Sequence, residues 1–571
     1  MDALEKEFVF NGVLKHISEL GGDVFEPGVE NRDLAEISFI IGSELTSGAV
    51  QKALSSSNAR MGLSDQKLSE LVRSEQDALR RIGALNSLLA DNLSRPKSQQ
   101  SSEGIAAIER DIAEYRAARA KFRETIEQGY PEYAELVDPT VSRVIEAFNV
   151  VAPNELVIQT YVGLDASYVW SVNHEKAIVF HSVGVDRNML GKVVEQLRVA
   201  LDPKVATIGE IPDYDMRLAY FLYDQYLKRV ISRAANLEKI SIVQHGHLGM
   251  LPIGALVTSP FELGKDSDGL FSRYKEAPFF IKKYAVAQLP SVSALSALRR
   301  VEPGTDSRKA FLGIGDPVFN RESAFGEKLK GQETENSGQV AMRGLPLKRR
   351  SAPSDVGRDS LSITDLPQLP DTTEEVVSIA MVLKANLEED VLLGDRATEG
   401  NIKNLDLSNR KVIMFATHGL VPGELDGLDQ PALALTNPAY GLDQNNDGLL
   451  TVDEVLNLSL NADWVVLSAC NTGAGDGDGA EAISGLGRAF FYAGTRALLV
   501  TNWPVETTSA RLLTTSLFEK VTTLNMERSS ALRAAMLDLI SGPGALDASG
   551  KKSLFRYGHP IFWAPFSLIG D

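Results

Sequence analysis

The feature that most constrains the fold is the alternation, after Pro131, of short apolar strand-like runs with helical stretches. ELVIQTYVGL (155–164), ISIVQ (240–244), KVIMFA (411–416) and DWVVLSA (463–469) are rich in β-branched and aromatic residues. Helical patterns separate these runs, at 189–201, at 214–235 and in EEVVSIAMVLKA, ISGLGRAFFYAG and TSARLLTTSLFEKV. Strands that alternate with helices pack as layers around a largely parallel sheet. The sequence therefore predicts an α/β fold.

The N-terminal part has a different period. Between residues 63 and 93, and again between 105 and 126, apolar residues recur every three or four positions opposite a charged face. The second stretch is close to a heptad seam, with Arg119 in one seam position. SRPKSQQSSE (94–103) separates the two. This pattern predicts an antiparallel helical hairpin, used for packing or as a partner-binding arm.

Four parts follow from these patterns. Residues 1–150 are expected to be helical, and 151–320 and 366–571 to be two α/β units. Residues 321–365 are polar, contain Gly, Ser and Pro, and show no period, which predicts a flexible linker. ISIVQHG at 240–246 and VIMFATHG at 412–419 both end a buried strand in His-Gly, so the two units are expected to be related.

Composition excludes several function classes. The 571 residues carry 58 Lys and Arg against 76 Asp and Glu, a net charge of −18, which argues against a nucleic-acid partner. A single cysteine excludes an intrachain disulfide framework and multi-cysteine metal sites. No secretion signal or apolar run long enough for a membrane span is visible, so a cytoplasmic protein without a membrane partner is expected. The glycine pairs match no phosphate-binding motif.

The only cysteine, Cys470, ends one predicted strand, and His418, followed by Gly419, ends another. In open α/β sheets, ligands bind at the carboxyl ends of strands. The two residues are 470 − 418 = 52 positions apart, an order and interval that caspase-type cysteine peptidases use. Cys470 is thus a candidate nucleophile and His418 its base, with the Gly419 N–H available to a developing oxyanion. Considered singly, each residue is more often structural.

FATHGL, LLTVDEVLNL, VVLSACNTG, GLGRAFFYAGTRALLVTNWPV and HPIFWAPFSLIG closely resemble the CHAT family of caspase-like and separase-like cysteine peptidases. VIQTYVG, ISIVQHGHLGMLPIGAL and QLPSVSALSALRR are similar to the usual N-terminal portion of that family, so the resemblance runs from about residue 40 to the end. Members are mostly bacterial and often follow tetratricopeptide repeats.

The resemblance implies a caspase-like three-layer α/β/α peptidase unit at 366–571, preceded by a related pseudo-peptidase unit. It implies His418 as general base, Cys470 as nucleophile, and the backbone N–H groups of Gly419 and Cys470 as the oxyanion hole. No cofactor is required. The first unit has His245 but no cysteine, so it is expected only to support the second.

The sequence departs from the family after Trp-Pro-Val, where an acidic pair is usual and Glu506-Thr507 stands instead. Related peptidases that cut after basic residues hold the substrate cation with an acidic pocket residue. Five acids flanking the two strand ends are candidates for that role, with no basis for choosing among them: Asp426, Asp429, Asp476, Asp478 and Glu481.

A second motif lies between the two strands. Residues 443–454 fit the calcium-binding loop pattern D-x-[DN]-x-[DN]-G-x5-E, although the preceding stretch is a poor helix and DGLLT is also usual in the family. The ligands would be side-chain oxygens and one carbonyl, from Asp443, Asn445, Asp447, Leu449 and Glu454. The alternative is a polar turn followed by a helix cap.

The sequence thus predicts a cysteine endopeptidase that acts on a protein substrate and is regulated by calcium or by a protein that binds the N-terminal helices. The basic triplet at 348–350 makes the linker a candidate for cleavage during activation. The alternative from another class is a catalytically silent scaffold, which need not have kept both His418 and Cys470.

Overall fold

A computed structural model describes residues 10–18, 32–46, 102–129, 148–300, 307–320, 344–350, 361–440, 446–469, 485–547 and 552–571, with eight scattered helical positions between 71 and 85. Cys470, the acids at 476, 478 and 481, and the loop residues Asp443 and Asn445 lie outside the described residues.

The core of the molecule is one eleven-stranded sheet. Five of its strands come from the first α/β region: β1 (Glu155–Val162), β2 (Ser167–Asn173), β3 (Ile178–Val183), β4 (Lys239–Val243) and β5 (Ala285–Gln288). Six come from the second: β6 (Lys309–Gly315), β7 (Val391–Leu393), β8 (Arg410–Ala416), β12 (Trp464–Leu467), β13 (Ala497–Thr501) and β16 (Phe566–Gly570).

The strand order is β3-β2-β1-β4-β5-β16-β13-β12-β8-β6-β7. The two groups therefore join edge to edge, where β16 pairs with β5 in parallel. The pairs β1–β4, β4–β5, β8–β12, β12–β13, β6–β8 and β6–β7 are also parallel. The predicted α/β fold with a largely parallel sheet is confirmed.

Helices cover both faces of the sheet. One face carries α3 (Arg187–Leu201), α4 (Met216–Leu222), α5 (Lys228–Ile231), α7 (Asp371–Val382), α11 (Thr507–Thr523), α12 (Arg528–Ser541) and α13 (Pro560–Trp563). The other carries α1 (Arg32–Thr46), α6 (Val292–Arg300), α8 (Glu399–Asn404), α9 (Val452–Asn457) and α10 (Gly485–Ala493). α2 (Ser102–Gly129) belongs to the N-terminal region.

Small accessory strands complete the fold. β9 (Gly419–Leu420), β10 (Ala432–Ala434) and β11 (Leu449–Thr451) form a sheet of three. β14 (Ala545–Leu546) pairs with β15 (Ser553–Phe555). The three-stranded sheet lies between β8 and β12 in sequence, and its strand β9 begins directly after His418.

Two features of the N-terminal region agree with the helical pattern. α1 packs on the first sheet region, where Phe39 contacts Phe148 edge-on at 5.2 Å and the Ser38 hydroxyl accepts the Trp170 indole N–H at 3.0 Å. On α2, the seam residue Arg119 forms a 2.7 Å ion pair with Glu75 of the preceding helical positions, and Ile112 is buried.

The structure divides the chain differently from the sequence prediction at one point. β6, expected in the first unit that ends at residue 320, pairs with β7 and β8 of the second group. The apolar pattern of β6 is compatible with either group of strands. Its hydrogen-bond pairing with β7 and β8 places it in the second group.

Candidate functional site

The site is built at the carboxyl ends of the adjacent parallel strands β8 and β12. Leu467 lies opposite Phe415, and the Ser468 amide donates to the Phe415 carbonyl at 2.9 Å. Continued by two residues, this register brings Ala469, the residue before Cys470, level with Thr417, the residue before His418. The strand-end residues from which the sequence predicted a dyad thus follow neighbouring strands of one sheet.

Neighbouring strands fix the backbone on both sides of the site. The Thr417 hydroxyl donates to the Ala434 carbonyl at 2.5 Å, and the Ala434 amide donates to the His418 carbonyl at 3.0 Å. On the other side, the Thr501 hydroxyl donates to the Ala469 carbonyl. Side-chain bonds of this kind hold the ends of the two strands where the ladder hydrogen bonds stop.

The imidazole of His418 is fully buried and held in one orientation. Its Nε2 lies 2.9 Å from the Pro367 carbonyl oxygen, and its ring packs against Phe319 with centroids 5.5 Å apart. A carbonyl only accepts, so this contact requires a proton on Nε2 of the neutral ring. Nδ1 then carries the lone pair, and it has no hydrogen-bond partner among the described residues. A neutral, oriented imidazole with a lone pair on Nδ1 can in principle accept a proton.

Burial lowers the pKa of His418 to about 4, and the nearby positive charge of Arg350 acts in the same direction. The hydrogen bond to Pro367 opposes this shift. The ring is therefore neutral at physiological pH.

Arg350 lies in a different environment from the one predicted by the sequence. Residue 350 was expected in a flexible linker, yet its side chain is only 1% exposed. Its Nη1 forms a 2.6 Å ion pair with Glu375 of α7 and donates to the Ser468 hydroxyl at 2.7 Å. The Glu375 carboxylate also accepts the hydroxyl of Thr514 at 3.0 Å. An arginine–glutamate pair thus lies beneath the strand end that leads to Cys470.

Glu375 was not among the predicted site residues, although the helical pattern contains a signal for it. Thr372, Val376 and Ile379 are buried on one stripe of α7, and Glu375 lies on that stripe, whereas Glu374 is 70% exposed. A carboxylate on the apolar face of a helix is buried with a partner.

Of the five acids expected to form a substrate pocket, the structure describes Asp426 and Asp429. Both are exposed, on the loop after β9. Glu506, noted as a departure from the family pattern, is buried at the start of α11. Its carboxylate accepts the amides of Thr508 and Ser509 at 3.2 and 2.8 Å, so it caps the helix.

In the described part of the calcium-like loop, Glu454 already has other partners. One Glu454 oxygen accepts the Thr451 amide and hydroxyl at 2.9 and 2.8 Å, and the other contacts the Lys403 ammonium at 2.8 Å. Lys403 also pairs with Glu399 and contacts Asn446. Burial and the neighbouring Glu454 raise the pKa of Glu399 to about 7. Calcium would have to displace the lysine.

Other contacts at the loop agree with this arrangement. The Asp447 carboxylate accepts the Leu449 amide at 2.9 Å. Among the described residues, no three His, Cys, Asp or Glu side chains lie close enough to share a metal ion. Calcium at this loop remains a prediction of the sequence.

None of the helices in the described part of the chain combines the length and apolar character needed to cross a bilayer.

Comparison with known proteins gives matches of three kinds. The model of the CHAT domain family matches residues 217–571. Mouse (Mus musculus) tetratricopeptide repeat protein 28 is 30% identical over 123 residues, which are 22% of this chain and 4% of that protein. Two structures of the Saccharomyces cerevisiae separase–securin complex align over the whole chain and 40% of theirs, with a TM-score of 0.37 and 11% and 10% identity.

The chain thus spans a small part of the curated relative and less than half of the structural neighbour. The family model, in contrast, covers well over half of the chain and includes both strand ends of the site. The chain belongs to the CHAT domain family, a caspase-like and separase-like family.

Proposed function

We propose that this protein is a cysteine endopeptidase that hydrolyses peptide bonds of a protein substrate through Cys470 and His418. The observation that carries the proposal is the state of His418. Its ring is neutral and buried, it is oriented by the Pro367 carbonyl, and its Nδ1 is available at the end of the strand next to the one that leads to Cys470.

In this reaction His418 Nδ1 takes the proton of the Cys470 thiol as the sulfur attacks the substrate carbonyl carbon. The backbone N–H groups of Gly419 and Cys470 are proposed to hold the oxyanion that develops on the carbonyl oxygen. The proton then passes from His418 to the leaving amine, and water hydrolyses the thioester. The Pro367 carbonyl stabilises the transient imidazolium by accepting the Nε2 proton.

Because the chain has a single cysteine, substitution of Cys470 tests the proposal directly. Wild-type protein should hydrolyse peptides and be labelled once by an acyloxymethyl ketone, whereas Cys470→Ala should do neither and keep the same melting temperature. No other cysteine can replace Cys470. Peptide hydrolysis that persists undiminished in Cys470→Ala would eliminate the proposal.

The second candidate is a catalytically silent scaffold that binds a partner through its N-terminal helices. Its support is the N-terminal region, called the arm below, in which the 28-residue helix α2 pairs through Arg119 with Glu75. A scaffold predicts that the thiol of Cys470 reacts no faster than free cysteine at the same pH. Electrophile labelling of the folded protein therefore separates the two functions without knowledge of the substrate.

A protein regulator bound to the same arm is proposed for the enzyme as well. Deletion of residues 1–150 would remove α1 from the sheet, so the arm is better tested by surface substitutions on α2. Loss of partner binding with unchanged Cys470 labelling would assign the arm to regulation.

A further inference from the structure

A cleft lies at the seam where the two α/β regions join, beside α12. One wall comes from the first region, from β5, residues 252–254 and Ile281. The other wall comes from the second region, from α12, the end of α13 and β16. The cleft encloses about 440 Å³ of empty space, its open mouth included. Small-molecule sites have volumes of about 300–1,000 Å³ and occur preferentially at domain interfaces.

Most of the lining is apolar. Buried apolar side chains of both regions face each other across the cleft: Ile253, Ile281, Leu532, Met536, Trp563 and Phe566. The indole N–H of Trp563 already donates to the Gly558 carbonyl at 3.0 Å, so this ring offers only apolar surface. A bound water needs two to four polar partners, and walls of this kind supply few. The cleft is therefore better suited to an apolar molecule than to solvent.

The helix α12 supplies two polar groups to the cleft. Four of its residues line the cleft at a spacing of three or four and share one stripe of the helix: Ser529, Leu532, Arg533 and Met536. The Ser529 hydroxyl is buried and has no hydrogen-bond partner among the described residues. Arg533 follows four residues later, so the two polar side chains start from neighbouring positions on the same face.

The charge of Arg533 is held in place by neutral groups. Its Nε donates to the Ile281 carbonyl at 2.9 Å, and its Nη2 donates to the Lys282 carbonyl. No carboxylate of the described residues forms an ion pair with it. Burial lowers the pKa of Arg533, and Glu238 opposes this shift from a distance. Glu238 itself is exposed and accepts the side-chain amide of Asn154 at 2.7 Å.

Another arginine at the same seam is paired differently. Arg299 of the first region forms ion pairs with Asp571 and Glu155, both at 2.8 Å. Its charge is thus compensated by carboxylates of the protein. Arg533 also crosses between the regions, but it is half-buried and contacts only carbonyls. Because charges removed from water are normally paired, a cation of this kind beside an unpartnered hydroxyl fits an anionic group from a ligand.

We propose that this cleft binds a small carboxylic acid with an apolar body, whose carboxylate lies between Arg533 and Ser529. Arg533 Nη1, which has no hydrogen-bond partner among the described residues, donates to one carboxylate oxygen. The Ser529 hydroxyl donates to the other oxygen, and the apolar body lies against the walls of the cleft. The site shares no residue with the peptidase machinery proposed above, so binding does not depend on peptidase activity.

A ligand in this cleft contacts both regions and should stabilise their association. β5 and β16 form the edge along which the two groups of strands meet, and both line the cleft. A molecule that binds only the folded protein raises its melting temperature as the ligand concentration increases. The acid should therefore raise the melting temperature of the full-length protein in a saturable way.

Isothermal titration of the full-length protein at neutral pH tests the class of ligand. The probes are 4-phenylbutyrate and octanoate, which are ionised at this pH, and the controls are the corresponding uncharged amides. Wild type should bind the acids saturably and the amides about 10-fold more weakly, because a hydrogen bond to a charged group contributes more than one between neutral groups. This comparison requires no substitution.

Substitutions locate the site. Arg533→Met should weaken binding of the acids about 10-fold and leave binding of the amides unchanged. Arg217→Met is the matched control, since this arginine is 92% exposed and lies outside the cleft, and it should bind both like wild type. If Arg533→Met does not fold, a diazirine derivative of 4-phenylbutyrate cross-linked to wild type should label peptides of α12 and β16.

Several results would overturn the proposal. One is the absence of saturable binding of either acid at millimolar concentration. Equal affinity of wild type for the acids and their amides would contradict the anionic class of ligand. Undiminished binding of the acids by Arg533→Met, or cross-links that map only outside the lining of the cleft, would contradict the site.

Discussion

Two strand ends in this chain carry the same His-Gly pair, and the structure uses them differently. His245 follows β4 in the first region, and its Nδ1 accepts the Val162 amide at 3.2 Å while its ring packs on Tyr161. His418 follows β8 in the second region, and its Nδ1 has no partner among the described residues. The shared motif therefore does not decide which histidine can act as a base. That depends on whether a neighbouring backbone N–H already donates to Nδ1.

The reason lies in the lengths of the flanking strands. β1 pairs with β4 up to Gln159 and Val243 but continues to Val162, so its last amide reaches the ring after β4. β6, beside β8, ends at Gly315, level with Ala416. No comparable overhang meets His418 from β6, and the Pro367 carbonyl contacts Nε2 instead.

The largest expected effect comes from removing each imidazole in turn. His418→Ala should reduce kcat/KM for peptide hydrolysis by about 10²- to 10⁴-fold, because positioned acid–base groups contribute about that factor. His245→Ala should leave the rate unchanged while lowering the melting temperature, since the buried Val162 amide loses its acceptor. Equal rate losses in the two variants would contradict the prediction that only His418 takes part in hydrolysis.

The next prediction tests whether the two regions form one cooperative unit. A charge network joins them, in which Arg299 and Lys239 of the first region pair with Asp571 of the second at 2.8 and 2.6 Å. Arg299→Met removes one ion-pair partner from each of the carboxylates of Asp571 and Glu155, so the free energy of unfolding should fall by about 3–5 kcal/mol.

Urea unfolding measures this change. Lys309→Met is the matched control, since its pair with Glu389 is exposed and should contribute less than about 1 kcal/mol. Equal shifts in the two variants would contradict the role given to the network. A second unfolding transition in Arg299→Met would indicate that the regions can unfold separately.

A smaller effect is expected in the pH dependence of kcat/KM for peptide hydrolysis. The folded-state pKa of His418 is about 4, whereas an ordinary histidine titrates near 6.5. The acid limb of kcat/KM should therefore lie well below pH 6.5, and the rate at pH 5.5 should stay close to its value at pH 7.5. An unshifted base would retain only about one tenth at pH 5.5.

The same shift has a consequence for stability. Unfolded chains bind the His418 proton as the pH falls through about 6.5, and the folded protein binds it only near 4. Acidification across this window should destabilise wild type more than His418→Gln. An acid limb near 6.5, or identical acid sensitivity of the two proteins, would contradict the buried, neutral state of the ring.

The smallest expected effect concerns calcium. Millimolar Ca²⁺ should not shift the melting temperature of wild type, because the Lys403 ammonium already pairs with both Glu399 and Glu454. Lys403→Met should gain a calcium-dependent shift, since Glu399 and Glu454 would lose that counter-charge. If calcium shifts the melting temperature of wild type as much as that of Lys403→Met, the calcium-binding loop that the sequence predicts would be supported.

Much of the fold followed from local pattern. Apolar runs with period two and intervening helices predicted the α/β sheet, and the positions of His418 and Cys470 at strand ends predicted where chemistry would lie. These inferences depend on residues close in sequence. The calcium prediction rested on the same kind of pattern and stays a prediction, but the pattern did not show that Lys403, some forty residues before the loop, contacts Asn446 and Glu454 of the loop.

The sequence alone determined the residue types at the site, the order of strands along the chain and the presence of one thiol. Tertiary structure decided which strands pair, which acid faces an arginine, and which histidine has a ring nitrogen without a partner among the described residues. Glu375 and Arg350 lie 25 residues apart in sequence (375 − 350), in a helix and in a segment that shows no period. Their pairing forms beside Ser468, directly after β12, because a buried charge takes its partner from whatever the fold brings within reach.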